Sequence, residues 1–312
     1  MRYERALVVR RSTRLEELVA RFNTKAQARF YIESMGGEFS DYEQEDSAYH
    51  RSLEQVERAS RELLKTHVID RSLLPNYLFA ADELVIVVGQ DGLVANTAKY
   101  ALARPIIGVN PEPARYDGIL LPFDARSSSA ALQQTMEGKA QIRTVTMAEA
   151  KLNDGQTLLA FNDFFIGVRS HVSARYRITV GAQSERQSSS GILVSTGAGS
   201  TGWMSSVFNM AEGIGRFVGA TMPKRKPMAW SDRQLLYVVR EPFVSKTSGA
   251  KITAGAIVEN EAIEIESQTP AGGVIFSDGI EADFLQFNSG AIAHVSLAKD
   301  SAQLVVRATK RA

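Results

Sequence analysis

Leu84-Val85-Ile86-Val87-Val88-Gly89-Gln90-Asp91-Gly92-Leu93 decides the fold. The unbroken Leu84 to Val88 run reads as a strand buried on both faces, the habit of a parallel sheet. It enters Gly-x-Asp-Gly and then a short helical pattern from about Leu93 to Leu102. The loop therefore sits at the carboxyl end of a sheet strand, where α/β proteins place ligands. Gly89 and Gly92 let backbone N–H groups approach a phosphate, and the following helix adds its positive end. A carboxylate inside such a turn is costly unless it binds a metal or takes a proton. Asp91 is either that chemical group or a plain turn residue bonded to its own backbone.

Working outward, Ala6-Leu7-Val8-Val9 is a strand, Thr13 caps a helix whose Leu15, Leu18 and Val19 share a face, and Ile106-Ile107-Gly108-Val109 is another buried strand. Residues 52 to 64 form an amphipathic helix. Glu38 to Asp46 carries five acids in nine residues and reads as an exposed loop or helix flank. From about residue 140 short, often alternating runs follow, separated by Gly, Ser, Pro and Asp turns: Ile142 to Met147, Thr157 to Asn162, Tyr176 to Val180, Ile192 to Thr196, Gln234 to Val239, Lys251 to Thr253, Ala262 to Glu266, Val274 to Ser277 and Ile292 to Leu297. One helix is expected after Gly202. Pro223-Lys224-Arg225-Lys226-Pro227 reads as a solvated basic loop.

Composition narrows the function classes. The 312 residues contain 36 Lys+Arg, 35 Asp+Glu, four His and no Cys. Disulfides, thiolate nucleophiles, iron–sulfur clusters and sulfur-ligated zinc are excluded. A net charge of +1 provides no overall field for nucleic acid, so a bound phosphate must be held by local geometry. No apolar stretch approaches the roughly 18–20 residues that cross a bilayer. No membrane or nucleic-acid partner is expected, and the segment after Met1 is too short for a signal-peptide core, so a cytoplasmic protein is expected.

Two further motifs bear on chemistry. Gly191 to Trp203 contains a literal G-x-G-x-x-G at Gly197, Gly199 and Gly202. A dinucleotide-binding βαβ unit is disfavoured, because no acid lies ~20 residues beyond the glycines and the flanks look antiparallel. The loop can still hold a nucleotide through backbone groups and the hydroxyls of Ser200 and Thr201, or be a tight structural loop. In Phe161-Asn162-Asp163-Phe164, a turn could aim amide and carboxylate at one ligand, the amide suited to an adenine edge and the carboxylate to ribose hydroxyls.

In this order the three segments resemble the NAD kinase family, with its Gly-Gly-Asp-Gly-Thr loop, Asn-Glu pair and Thr-rich glycine loop, and most nearly its mitochondrial-type branch. Ser12-Thr13-Arg14, Ile107 to Pro113, Ser189-Ser190-Gly191, Val239-Arg240-Glu241-Pro242, Asp278-Gly279 and Asn288 to Ala293 add to the likeness. It implies a Rossmann-like α/β domain, a β-rich, sandwich-like domain and a nucleotide cleft between them, with limits expected near 1–125 and 126–285 and residues 286–312 returning to the first domain. It also implies phosphoryl transfer from ATP, with Mg²⁺, to the 2′-hydroxyl of the adenosine ribose of NAD, and a dimer or tetramer. Asp91 would be the general base, and Gly89, Gln90 and Gly92 the phosphate loop. Asn162, Asp163, Thr196, Gly199, Ser200, Thr201 and Gly202 would bind nucleotide; no metal ligand is assigned. Three positions depart from the family: Gln90 replaces a glycine, Leu93 a threonine and Asp163 a glutamate. A side chain at 90 conflicts with a φ > 0 turn, which leaves a binding protein without catalysis, or a kinase for another sugar or lipid hydroxyl, as alternatives.

Overall fold

The computed structural model describes residues 3–220 and 226–308. The chain divides into two compact units, Met1–Arg143 with Gln303–Ala312, and Thr144–Ala302. Of the basic cluster at 223–227, residues 223–225 lie outside the described residues.

The first unit runs β1 (Arg5–Arg10), α1 (Arg14–Phe22), α2 (Lys25–Ser34), α3 (Phe39–Arg61), β2 (Lys65–Asp70), β3 (Glu83–Val88), α4 (Asp91–Ala101), β4 (Pro105–Asn110), β5 (Phe123–Asp124) and α5 (Ser128–Met136). α5 belongs here, so the division falls at Arg143 and not near 125. The strands β2, β1, β3 and β4 pair side by side and parallel, with β5 beyond β4. Every residue of β3 is buried, as its unbroken apolar run requires. Parallel pairing brings the carboxyl ends of β1, β3 and β4 to one edge, and the Asp91 loop leaves from that edge.

Tyr49 of α3 ties this edge together. Its hydroxyl donates to the Val88 carbonyl at 2.9 Å and accepts the Arg11 N–H at 3.0 Å, joining the ends of β3 and β1. Burial pushes this phenol up to about 12, so it remains a donor at any ordinary pH. Tyr49→Phe leaves both backbone groups unpaired and should cost about 1–3 kcal/mol. A lowered urea midpoint at unchanged slope checks this.

The acidic run is not a loop. Most of it forms the first turns of α3, and Glu45 is only 1% exposed. Its carboxylate accepts from Arg11 Nη2 at 2.9 Å and from Arg14 Nε. Burial alone would raise its pKa; the two guanidinium groups outweigh that and hold it below the usual carboxylate range.

The second unit is a sandwich. It contains β6 (Gln141–Leu152, entering from the first unit), β7 (Thr157–Ala160), β8 (Asp163–Val168), β9 (Ala174–Val180), β10 (Gln183–Ser189), β11 (Ile192–Ser195), α6 (Trp203–Phe217), β12 (Gln234–Val239), β13 (Ala254–Val258), β14 (Ala262–Ser267), β15 (Gly273–Ser277), β16 (Ile280–Gln286) and most of β17 (Ile292–Val306). One layer has the order β10-β9-β14-β17; the other is β13-β12-β11-β8-β15-β16, antiparallel throughout. Phe164, Ile166, Val194 and Ile275 from one layer and Tyr176, Ile178, Ile265 and Val295 from the other meet in a common core. The end of β17 leaves this unit, and Gln303 and Leu304 lie parallel to the start of β4. Lys251 to Thr253 is not a strand; β13 begins after it at Ala254.

Candidate active site

In the first unit Asp91 is the first residue of α4, directly after Gln90. As first-turn groups, the N–H groups of Asp91 and Gly92 have no intrahelical acceptor and carry the positive end of the helix. The Asp91 carboxylate is not bonded to its own turn. Oδ1 accepts the N–H of Leu120 at 2.7 Å, twenty-nine residues away. Leu120 is brought there by Gly108 in β4, where a Cβ would lie 2.2 Å from the Leu120 carbonyl oxygen. A glycine inside an otherwise apolar strand marks such a close backbone approach.

Gln90 has φ −116° and ψ 165°, an extended conformation open to any residue. The expected conflict with a φ > 0 turn is therefore absent, because the loop turns without a left-handed residue. A Cβ on Gly92 would meet nothing within 4 Å, so that glycine keeps space open above the helix end and serves no packing need. Leu93 is buried, and its Cδ2 lies 2.9 Å from where a Cβ on Gly89 would stand. It packs under the loop with an apolar side chain and offers no hydroxyl there.

In the second unit the Asn-Asp pair and the glycine loop meet. Thr196 donates its N–H to the Asn162 carbonyl at 2.9 Å and its hydroxyl to the Phe161 carbonyl at 2.6 Å, while Thr196 Oγ1 accepts the Gly199 N–H at 3.2 Å. The loop is packed so closely that a Cβ on Gly199 would fall 2.1 Å from the Asn162 carbonyl oxygen, and one on Gly197 2.0 Å from that of Ala229. Since β11 pairs antiparallel with both β8 and β12, the G-x-G-x-x-G is not part of a βαβ unit. Gly199–Thr201 form a single 3₁₀ turn before α6, and Gly202 is the residue at its N-terminus. Thr201 is exposed, whereas Ser200 is 2% exposed and its Oγ has no hydrogen-bond partner. Trp203 stacks on Phe165 with ring centroids 5.8 Å apart, and Arg240 lies over the Trp203 ring at 5.2 Å.

Asp163 opens β8 and is 7% exposed. Burial, then the charge of Asp278, push its carboxyl group up to about 7. Asp278, noted in the sequence only as part of the Asp278-Gly279 segment and given no role there, lies against the Asn162-Asp163 pair. It stands in the β15–β16 turn at φ +56°, and its carboxylate accepts the N–H groups of Phe161, Asn162 and Asp163 at 3.1, 2.6 and 3.3 Å. The available signal was the Asp278-Gly279 pair, a turn dipeptide between two strands.

A raised carboxyl has a sign for stability. Between about pH 4 and 7 the folded chain keeps a proton on Asp163 that the unfolded chain releases, so stability falls as pH rises through about 7. The expected result is a melting temperature that drops by several degrees from pH 5 to 8, with a flatter profile in Asp163→Asn.

No protein-family model matches the chain. A probable NADH kinase of Oryza sativa subsp. japonica is 28% identical over 232 residues, covering 67% of this chain and 66% of that protein. An NAD kinase of Clostridium kluyveri is 29% identical over 129 residues, covering 39% of this chain and 44% of that protein. The chain thus spans less than two thirds of the length of these relatives. Among solved structures, an NAD kinase from Archaeoglobus fulgidus in complex with ATP superposes with a TM-score of 0.58 at 16% identity, covering 96% of this chain and 93% of that one.

The chain is similar in sequence to NAD kinases and shares their fold.

Yeast NADH kinase complexed with NADH shares the NAD kinase fold with it, at a TM-score of 0.58, 13% identity and coverage of 99% of this chain and 85% of the other. Among the described residues no helix is long and apolar enough to cross a membrane. No group of three His, Asp or Glu side chains among them could hold a metal ion.

Proposed function

We propose that this chain transfers the γ-phosphoryl group of ATP to the 2′-hydroxyl of the adenosine ribose of NAD, giving NADP. One observation carries the reading: Asp91 begins a helix at the carboxyl end of a fully buried strand, its carboxylate fixed by the Leu120 N–H and Gly92 beside it opening on free space. That arrangement suits a base receiving the acceptor proton while first-turn N–H groups face phosphate oxygens. The relatives named NAD kinase or NADH kinase, and the solved neighbours holding ATP and NADH, support the same substrates.

Phosphoryl transfer asks the protein for alignment and charge neutralisation, so no cysteine or histidine nucleophile is required. Mg²⁺ would enter with the triphosphate and offset phosphate charge there. Asn162 and Asp163 would hold the adenosine part of the acceptor, with Thr196 and Gly199 fixing the Asn162 backbone. Thr201 and Gly202 would line the adenine pocket, and Ser200, whose buried hydroxyl lacks a protein partner, would meet the nucleotide. Incubation with NAD, ATP and Mg²⁺ should yield NADP, read by a dehydrogenase specific for NADP. No NADP at micromolar enzyme would reject the proposal.

A further inference from the structure

We propose that Asp278 is a positioning residue for nucleotide recognition: its carboxylate gathers the N–H groups of Phe161, Asn162 and Asp163 and so fixes where the Asn162 and Asp163 side chains are presented. The role of the Asn-Asp pair as the nucleotide contact rests on the function proposed above; the positioning itself rests on geometry.

Three donors converge on one carboxylate, two of them on Oδ1, at 2.6 Å from Asn162 and 3.3 Å from Asp163. The Asp278 N–H in turn donates to the Asp163 carbonyl at 3.0 Å. The turn that delivers it is paid for in backbone strain, since Asp278 is a non-glycine residue at φ +56°. Without that carboxylate the start of β8 would leave three N–H groups to find other partners.

The same placement sets the charge beside the ligand. The Asp163 carboxyl is held where little water reaches it, the residue being 7% exposed. Facing it are Ser195 across the β8–β11 pair and Asp278 from the β15–β16 turn, and of these Asp278 is the charged one. Burial first, and then the negative charge of Asp278, favour the carboxylic acid form of Asp163, which offers a ligand one O–H donor and one carbonyl acceptor where a carboxylate offers acceptors only.

The test compares Asp278→Asn and Asp278→Ala with wild type in the full chain. In both, the backbone amides of Asn162 and Asp163 should exchange with solvent at least tenfold faster by NMR, and KM for NAD should rise about tenfold with kcat within threefold. In Asp278→Asn, the pH at which NAD binding titrates should move down, a change that a merely structural role would not produce. Unchanged exchange rates would overturn the proposal, as would an unmoved pH midpoint. Asp163→Asn provides a second variant should the turn not tolerate substitution: it should keep the amides protected and abolish the pH dependence, and loss of protection there would count against Asp278 as the anchor. Wild-type protein that makes no NADP would reject the kinase function while leaving the exchange measurement to judge Asp278.

Discussion

Asp91→Asn should lower kcat for NADP formation by ~10²–10⁴, the contribution of a positioned general base. The substitution is nearly isosteric, and the asparagine carbonyl oxygen can still accept the Leu120 N–H that holds Oδ1 at 2.7 Å. Stability should change little: loss of one negative charge in the first turn of α4 removes about 0.3–1 kcal/mol of favourable interaction with the helix end. KM for NAD should stay within a few fold, because the nucleotide contacts assigned to Asn162 and Asp163 are untouched. Steady-state kinetics and a melting curve on the same preparation separate these effects. A large loss of kcat at constant melting temperature fits the base role; a matched loss of stability would mean that the Leu120 bond was the point of Asp91.

Gly199→Ala should damage the second unit and its nucleotide loop together. The added carbon would lie 2.1 Å from the Asn162 carbonyl oxygen and 2.6 Å from the carbonyl carbon, so main chain must move and no rotamer can relieve it. Overpacking of this kind costs about 1–3 kcal/mol or more. The displaced group is the carbonyl on which the Thr196 N–H closes the loop, so NAD affinity should fall at least tenfold as well. Gly92→Ala supplies the contrast. Its methyl meets nothing within 4 Å and sits in a helix, so stability should hold or rise slightly, while a methyl in the space kept for phosphate should depress kcat/KM by tenfold or more. Reversal of that pattern would show that the two glycine loops have been given the wrong tasks.

What could be read from sequence followed from how local the determining forces are. β3 and α4 were legible because Leu84 to Val88 is uninterrupted and the glycines follow at once; Thr13 was legible as a cap, and the structure shows its full capping box with Glu16. β8 was not, because Asp163–Val168 is buried on both faces and shows no alternation. α2, with a single buried residue, and the edge strand β2 carry little apolar signal. Glu45 looked like part of a solvated acidic face because its partners, Arg11 and Arg14, lie thirty-four and thirty-one residues earlier. Asp278 meets Asn162 across 116 residues of sequence, a contact no local pattern encodes. The doubt over Gln90 was also a matter of backbone geometry: glycine in a motif suggested a left-handed residue, and φ of −116° shows that none is needed there.

The most direct test of the account follows the transferred group. Wild-type protein should be given [γ-³²P]ATP, Mg²⁺ and NAD, and the labelled product isolated and its phosphate position assigned by ³¹P NMR. The account predicts label in a single monoester on the 2′-oxygen of the adenosine ribose, with transfer reduced ~10²–10⁴ in Asp91→Asn. Label at another hydroxyl, label released only as inorganic phosphate, or equal transfer by the Asp91 variant would contradict it.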